Sequence, residues 1–295
     1  MTAKHHYVPR FYLEGFVDPL SSSLPNPYLW IVDLEQGTLK KRSPETAARI
    51  TGYYDLRSPE LPDKVTLETL LSRVESRTSK IIRRLRKNDF EMKDQDRHYF
   101  AYYIGVQHGR VPGLHKNVNS FLMGRAKKWL SEYIVDEDAL RSRFGDDAAF
   151  FKEYVLSGKA RVTPKKEFVI ALALRMGFTL AELIARMRWT YFLAAEGSSF
   201  FTSDNPVALL SPNGKSIKID FRGRNSDLEI SFPISPSCTL LIHDHDRPQN
   251  IISVNASIVS KINASLLPSI HRYAFCSTEQ QGQWLLDQPR NAKPS

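Results

Sequence analysis

Near the start of the sequence, KHHYVPRFYL (residues 4–13) sets His5 and His6 side by side, with Tyr7, Pro9 and Arg10 next to them. Imidazole is the side chain whose ordinary pKa lies closest to neutrality, so it can take or give a proton under working conditions. Adjacent residues in an extended segment point to opposite faces, so one ring can reach a site while the other packs. Pro9 and the FYLEGF run that follows predict a fixed, buried entry instead of a frayed end. Three further stretches offer complementary groups. FFTSDNPVALL (200–210) carries Ser203, Asp204 and Asn205 at the end of a strand. A carboxylate there can act as a base or metal ligand, or accept the backbone N–H groups of a turn. VQHGRVPGLH (106–115) gathers Gln107, His108, Arg110 and His115, where Arg110 can grip an anion or serve as a buried partner for Asp204. IHDHD (242–246) puts His243 and His245 on one side of an extended strand, an arrangement able to bind a metal or simply to border a solvated loop.

The charge pattern asks what such groups would act on. Between Leu71 and Leu130 there are fourteen Lys and Arg against five Asp and Glu, an excess equal to the net +9 of the whole chain. A basic window of this kind attracts phosphate backbones by counterion release, and is equally the composition of a solvated helical face. Cys238 and Cys276 form neither a disulfide framework nor a CxxC knuckle and read as reduced, buried thiols. No apolar leader follows Lys4, and the sequence is read as holding no run approaching the length of a membrane span, so a cytoplasmic protein without membrane contact is expected.

The positioning elements follow from periodicity. PNPYLWIVDLEQGTLKKRSP (25–44) reads as a hairpin turning at Glu35-Gln36-Gly37, and GYYDL (52–56) as a short strand. From Thr66 the period changes: Leu67, Leu70, Leu71, Val74, Ile81, Ile82 and Leu85 form one helical stripe with a basic outer face. A second helix runs from about Gln95 to near Pro112, and HKNVNSFLMGRAKKWLSEYI and DAAFFKEYVLSGKA supply two more, the latter stopped at Gly158. Thr163-Pro164-Lys165 opens a further helix reaching about Met187. Thereafter WTYFLAAE, SSFFTSDNPV, DLEISFPISP, CTLLIHD and RYAFCST read as strands, interrupted by one helix in SVNASIVSKINASLL. Segregated runs predict one α+β domain over residues 1–295. It has a helical middle (64–187) and a β-rich part (188–277), forming a mixed or antiparallel sheet joined by N-terminal strands (1–56) and packed on helices. A poorly ordered tail (278–295) completes it.

Arg110 and His115 stand at the R-x4-H spacing that resembles the signature of the HEPN ribonucleases, although Pro112 and Gly113 interrupt the helix on which such a pair would align. HHYVP is similar to the HHxxP stretch of the His-Me (HNH) nucleases, where a histidine activates water beside a divalent metal; the Asn and metal-binding His of that family's spacing are missing here. HHYVPRFYLEGF, VQHGRVP, FFTSDNPV, FPISP and the final helix with Asn255 and Asn263 followed by RYAF together resemble the bacterial family of the domain of unknown function numbered 4238. This resemblance runs from His5 to Phe275. It implies no activity, but it groups His5, His6, Tyr7, Pro9, Gln107, Arg110, Pro112, Ser203, Asp204, Asn205 and Pro206 as positions to be treated together. His115, His243 and His245 stand outside it.

Three readings follow. In the first, the protein is a metal-dependent phosphodiester hydrolase, a nuclease of the toxin or phage-defence kind. His5 or His6 is the base, Asp204 a metal ligand or orienter, and Arg110 a clamp on phosphate charge. Tyr7, Arg10, Gln107, Ser203 and Asn205 contact substrate, Mg²⁺ or Mn²⁺ sits at Asp204 and His6, and the basic helices of residues 71–130 guide nucleic acid. In the second, the same groups bind a nucleotide or nucleic acid without turnover. In the third, His, Arg and Asp form a buried polar network that locks the N-terminal segment in place.

Overall fold

The computed structural model describes residues 4–54, 67–210, 228–244 and 251–289. In chain order the elements are β1 (Lys4–His6), α1 (Arg10–Leu13), β2 (Leu29–Asp33), β3 (Thr38–Arg42), β4 (Arg49–Thr51), α2 (Leu67–Leu85), α3 (Asp94–Gly109), α4 (Pro112–Tyr133), α5 (Glu137–Phe144), α6 (Ala148–Leu156) and α7 (Lys166–Arg186). The β-rich part follows as β5 (Arg188–Ala194), β6 (Thr202–Ser203), β7 (Ala208–Leu210), β8 (Glu229–Ser235), β9 (Cys238–His243), β10 (Ile251–Val254), α8 (Ala256–Leu266), β11 (Tyr273–Cys276) and α9 (Glu279–Leu286). The α+β class holds, with a hairpin at the start, helices in the middle and a mixed sheet towards the end.

Among the described residues the strands divide among three sheets. β10-β5-β9-β8-β7 is mixed, with β10 parallel to β5, and β3-β2-β11-β6 is antiparallel. The expected hairpin is present, Asp33 opposite Thr38, with Gly37 at φ 65° in the turn. Its β2 strand accepts β11 as its other neighbour, so the start and the end of the chain share one sheet. β1 and β4 make the third sheet, and β4 lies a few residues before the expected GYYDL strand. Several elements were not expected, among them α5, β10 and α9. Charged, eight-residue α5 shows little periodicity, β10 directly abuts α8, and α9 occupies residues assigned to a poorly ordered tail. α9 forms because the Thr278 side chain accepts the Gln281 N–H at 3.2 Å and Leu285 is 1% exposed against β2 and β11.

α3 is the central support. With α2, α7 and the faces of β5, β8 and β9 it builds the main core, which also takes in Tyr7, Val8, Tyr12, Leu13 and Phe16 of the N-terminal segment. Gly105 of α3 and Gly177 of α7 lie against each other: a Cβ on Gly177 would sit 2.3 Å from the Gly105 carbonyl, so neither position tolerates a side chain without moving a helix. α7 has an 18-residue window of mean hydropathy 1.9, long and apolar enough by length and composition to cross a membrane, with 44% of that window buried inside the protein. That corrects the expectation that no such run exists. α2 places Leu71, Thr78, Ile82 and Leu85 on the buried side as its period predicts.

Candidate functional site

The pairing of β1 with β4 sets His5 opposite Ile50 and His6 opposite Arg49, and the pleat turns the two rings apart. His5 is 3% exposed; His6 lies at the rim. The Tyr54 N–H donates to His5 Nδ1 at 3.1 Å, so a neutral His5 carries its proton on Nε2. His6 Nε2 stands 3.0 Å from the Glu45 carbonyl, which can only accept. The proton therefore sits on Nε2, and the Nδ1 lone pair has no partner among the described residues. Burial, offset only in part by the bond to Glu45, pushes the His6 pKa below the ordinary histidine value. The ring is neutral at pH 7, with Arg49, Glu75 and Arg110 as charged neighbours.

The last turn of α3 holds this segment. Gln107 Nε2 donates to the Tyr7 carbonyl at 2.9 Å, and Arg110 Nη2 donates to the His6 carbonyl. Arg110 Nη1 donates to Glu75 Oε1 at 2.5 Å, and the Tyr54 hydroxyl donates to the Arg110 carbonyl at 2.7 Å. The side chain is sealed, and burial opposes its charge, but Tyr54 and Glu75 outweigh burial and hold its pKa above the ordinary arginine value. Arg110 pairs with Glu75, not with Asp204. The helix end itself is closed by His115: its Nε2–H donates to the Gly109 carbonyl at 2.8 Å and its Nδ1 accepts the Tyr53 hydroxyl at 2.7 Å. Pro112 then starts α4 at its first turn, so Arg110 and His115 lie across a helix junction, as the interrupting proline predicts.

Asp204 leaves β6 and faces the start of β11. Its Oδ1 accepts the His271 N–H at 2.9 Å, and its Oδ2 accepts those of Arg272 at 2.7 Å and Tyr273 at 3.0 Å. Three of about four lone-pair sites are thus committed to backbone. Burial pushes its carboxyl up from the ordinary value and the three N–H groups pull it back only in part. The carboxylate expected to be a base or metal ligand closes a turn between distant strands. Ser203 Oγ and Asn205 bond within the same turn, and Asn205 Nδ2 reaches the Ser269 carbonyl at 3.1 Å. Tyr7 links the two regions: burial first, then the neighbouring Asp204 charge, push its hydroxyl far above the ordinary tyrosine value.

Gln107 and Arg110 thus hold β1 at the end of α3 and Tyr7 neighbours the Asp204 turn, with Arg110 and Asp204 turned inward and His6 at the rim. Arg10 is exposed and bonded to Glu14 at 3.0 Å, with its Nη1 3.8 Å from the carboxylate of Glu45, the residue whose carbonyl meets His6. Beside the Asp204 turn, Phe201, Ser203, Asn205, Pro206 and Pro233 line a crevice with a volume of about 10 Å³, the scale of a single water molecule. His243 is buried with Nε2 3.0 Å from Thr190 Oγ1, while His245 and Asp246 lie outside the described residues. Among the described residues no three His, Cys, Asp or Glu gather at metal-binding distance.

Glu75, Tyr54 and the 271–273 backbone were missed from sequence. Glu75 had left a signal, a charge four residues from Leu71 and three from Thr78 on the buried side of α2. The basic window also divides. Arg77 and Arg84 pair with Asp96 near the surface, and Arg86, Arg97 and Arg110 are engaged inside the protein; Arg86, for example, donates to the carbonyls of Phe11, Tyr12 and Ile234. The other nine cations stand exposed along α2, the loop after it and α4.

One further buried imidazole gives a test of the core. His108 is fully enclosed, and burial lowers its pKa to about 4. A histidine whose folded pKa is depressed binds fewer protons folded than unfolded, so its share of stability is complete above about pH 6.5 and is lost as pH falls towards 4. Chemical denaturation is expected to show up to about 3 kcal/mol of acid loss over that window, with His108→Leu flattening the slope.

An α+β protein whose N-terminal strand is bound into a junction of helix end and sheet edge is thus defined. The chain belongs to the family described as Protein of unknown function (DUF4238), whose model matches residues 4–279. No curated protein and no solved structure matches the chain.

Proposed function

We propose that the protein is a phosphodiester hydrolase acting on nucleic acid, with His6 as its general base. The observation that carries this reading is the His6 ring: neutral at pH 7, its Nε2–H fixed by the Glu45 carbonyl, its Nδ1 lone pair without a partner among the described residues. Arg49 beside it suits an anionic substrate, and the exposed cations of α2 and α4 can hold a phosphate backbone. In this reading Arg110 and Asp204 are positioning residues, since their polar atoms hold the segment that carries His6. One observation favours a second reading, a non-catalytic nucleic-acid-binding module: the groups that would clamp phosphate or bind metal are largely engaged inside the protein.

Incubating the protein with RNA, single-stranded DNA and duplex DNA, with Mg²⁺, Mn²⁺ or EDTA, separates the two. The hydrolase reading expects cleavage that His6→Ala reduces by about 100-fold or more. Because the His6 pKa is depressed, the rate should rise with pH and pass half of its plateau below the ordinary histidine value of about 6.5. Salt-sensitive binding with no product selects the second reading; neither binding nor product removes both.

A further inference from the structure

The last two turns of α3 are buried, but the outer face of its first half carries aromatic rings: Tyr99 is 38% exposed and Tyr102, its neighbour one turn on, 40%. Tyr102 lies parallel to Phe178 of α7, with ring centroids 5.5 Å apart and planes 11° apart, and Phe178 is itself 40% exposed. On the other side, the Arg77 guanidinium of α2 lies 3.6 Å from the centre of the Tyr99 ring. A guanidinium and three rings thus form a shelf across α2, α3 and α7. Beside it, the exposed charged side chains of α2 from Thr69 to Arg83 are Arg73, Lys80 and Arg83, among the described residues all cations. The acids that face this stretch are already paired, Glu75 with Arg110 and Asp96 with Arg77 and Arg84. Exposed Asp89, Glu91 and Asp94 stand at the other end, where α2 passes into α3, and Arg175 and Glu182 flank Phe178 on α7.

We propose that this shelf stacks the unpaired bases of a nucleic acid, which makes single strands the substrate class of the His6 site. The inference rests on the nucleic-acid reading above. Every base has a π-face, so exposed rings flanked by cations that track the backbone hold a single strand whatever its sequence. In a duplex the bases are stacked on one another and offer only their edges, so rings of this kind have nothing to stack on. The shelf is ready for a planar guest: Tyr102 and Phe178 are already parallel, and Arg77 already lies over Tyr99. The helix period also joins it to the proposed base. Arg73, Lys80 and Arg83 occupy the outer face of α2, between the side on which Glu75 meets Arg110, the residue that holds the His6 carbonyl, and the side on which Arg77 covers Tyr99. A strand whose bases rest on the shelf can run its phosphates over those cations towards His6.

Fluorescence anisotropy on the full chain tests this with four labelled probes of one length: single-stranded RNA, single-stranded DNA, duplex DNA and a sugar-phosphate strand without bases. Wild type is expected to bind a single strand about 10-fold or more tightly than the baseless strand, and more tightly than the duplex. Tyr102→Ala with Phe178→Ala should erase that preference while leaving the salt dependence and the far-ultraviolet circular dichroism spectrum unchanged, whereas Arg73→Ala with Lys80→Ala should flatten the salt dependence. A baseless strand or a duplex bound as tightly as the single strand overturns the inference, as does a preference that survives the Tyr102/Phe178 change. If that variant does not fold, the baseless strand decides on wild type alone. The two readings fail separately. Base-dependent binding without cleavage upholds the shelf and removes the hydrolase; cleavage of duplex and single strand at equal rates upholds the hydrolase and removes the shelf. Binding to phosphatidylserine vesicles with none to any of the four probes overturns the inference in favour of a membrane surface.

Discussion

Arg110→Met is expected to destabilise the protein by about 3–5 kcal/mol, because it removes one member of a buried ion pair and leaves the other unbalanced. The guanidinium stands between the Glu75 carboxylate and the His6 carbonyl, and its own carbonyl is held by Tyr54. Methionine fills the space of the alkyl stem but supplies no donor. Arg110→Lys should recover little, since one ammonium cannot reproduce a planar fork reaching a carboxylate and a carbonyl at once. Removing Glu75 as well, by Glu75→Gln in the Arg110→Met background, should give back about 1–3 kcal/mol, the coupling between two groups in contact. Urea denaturation of wild type, Arg110→Met, Arg110→Lys, Glu75→Gln and the double variant measures all these quantities. Hydrogen exchange over residues 4–9 should show the N-terminal strand losing protection in Arg110→Met, because its carbonyl clamp is gone. Equal protection in both proteins would mean that other contacts hold β1.

Asp204→Ala is expected to cost a comparable amount, about 3–5 kcal/mol, for a different reason: three backbone N–H groups at the start of β11 lose their acceptor together. For a chain of this size that is a fall in Tm on the order of 10 °C. Asp204→Asn should rescue little, since its amide keeps one oxygen and turns N–H donors towards N–H donors. The loss belongs to folding and not to chemistry. Cleavage by the folded fraction of Asp204→Ala should therefore track its folded population, whereas His6→Ala should fold normally and lose turnover. A normal Tm in Asp204→Ala accompanied by lost activity would return the carboxylate to the reacting centre.

Much of the fold was legible because local period and long-range packing agree in it. The α2 stripe, the 34–37 turn and the proline that separates α3 from α4 are each decided within a few residues of sequence. α5 and α9 were not legible: each is a short helix set by a cap and by one or two apolar residues meeting a distant surface, such as Leu285 against β2 and β11. The sharing of one sheet by β2 and β11 involves residues more than two hundred apart. For the site, residue types gave its members but not their orientation. Opposite faces for His5 and His6 followed from the strand period. Nothing near Asp204 in the chain shows that its acceptors are spoken for by residues 271–273, and nothing near Arg110 shows that it looks to Glu75 and not to Asp204. The turn-closing role of the TSDN segment was visible as chemistry; its partner segment was not.

The proposed chemistry turns on the His6 ring. Nitrogen-15 NMR titration of the histidine side chains, with the His6 signal assigned by its disappearance in His6→Gln, reads both its tautomer and its pKa. The structure predicts a neutral ring protonated at Nε2 with a pKa below 6.5; a ring protonated at Nδ1, or one still charged above pH 6.5, would contradict it.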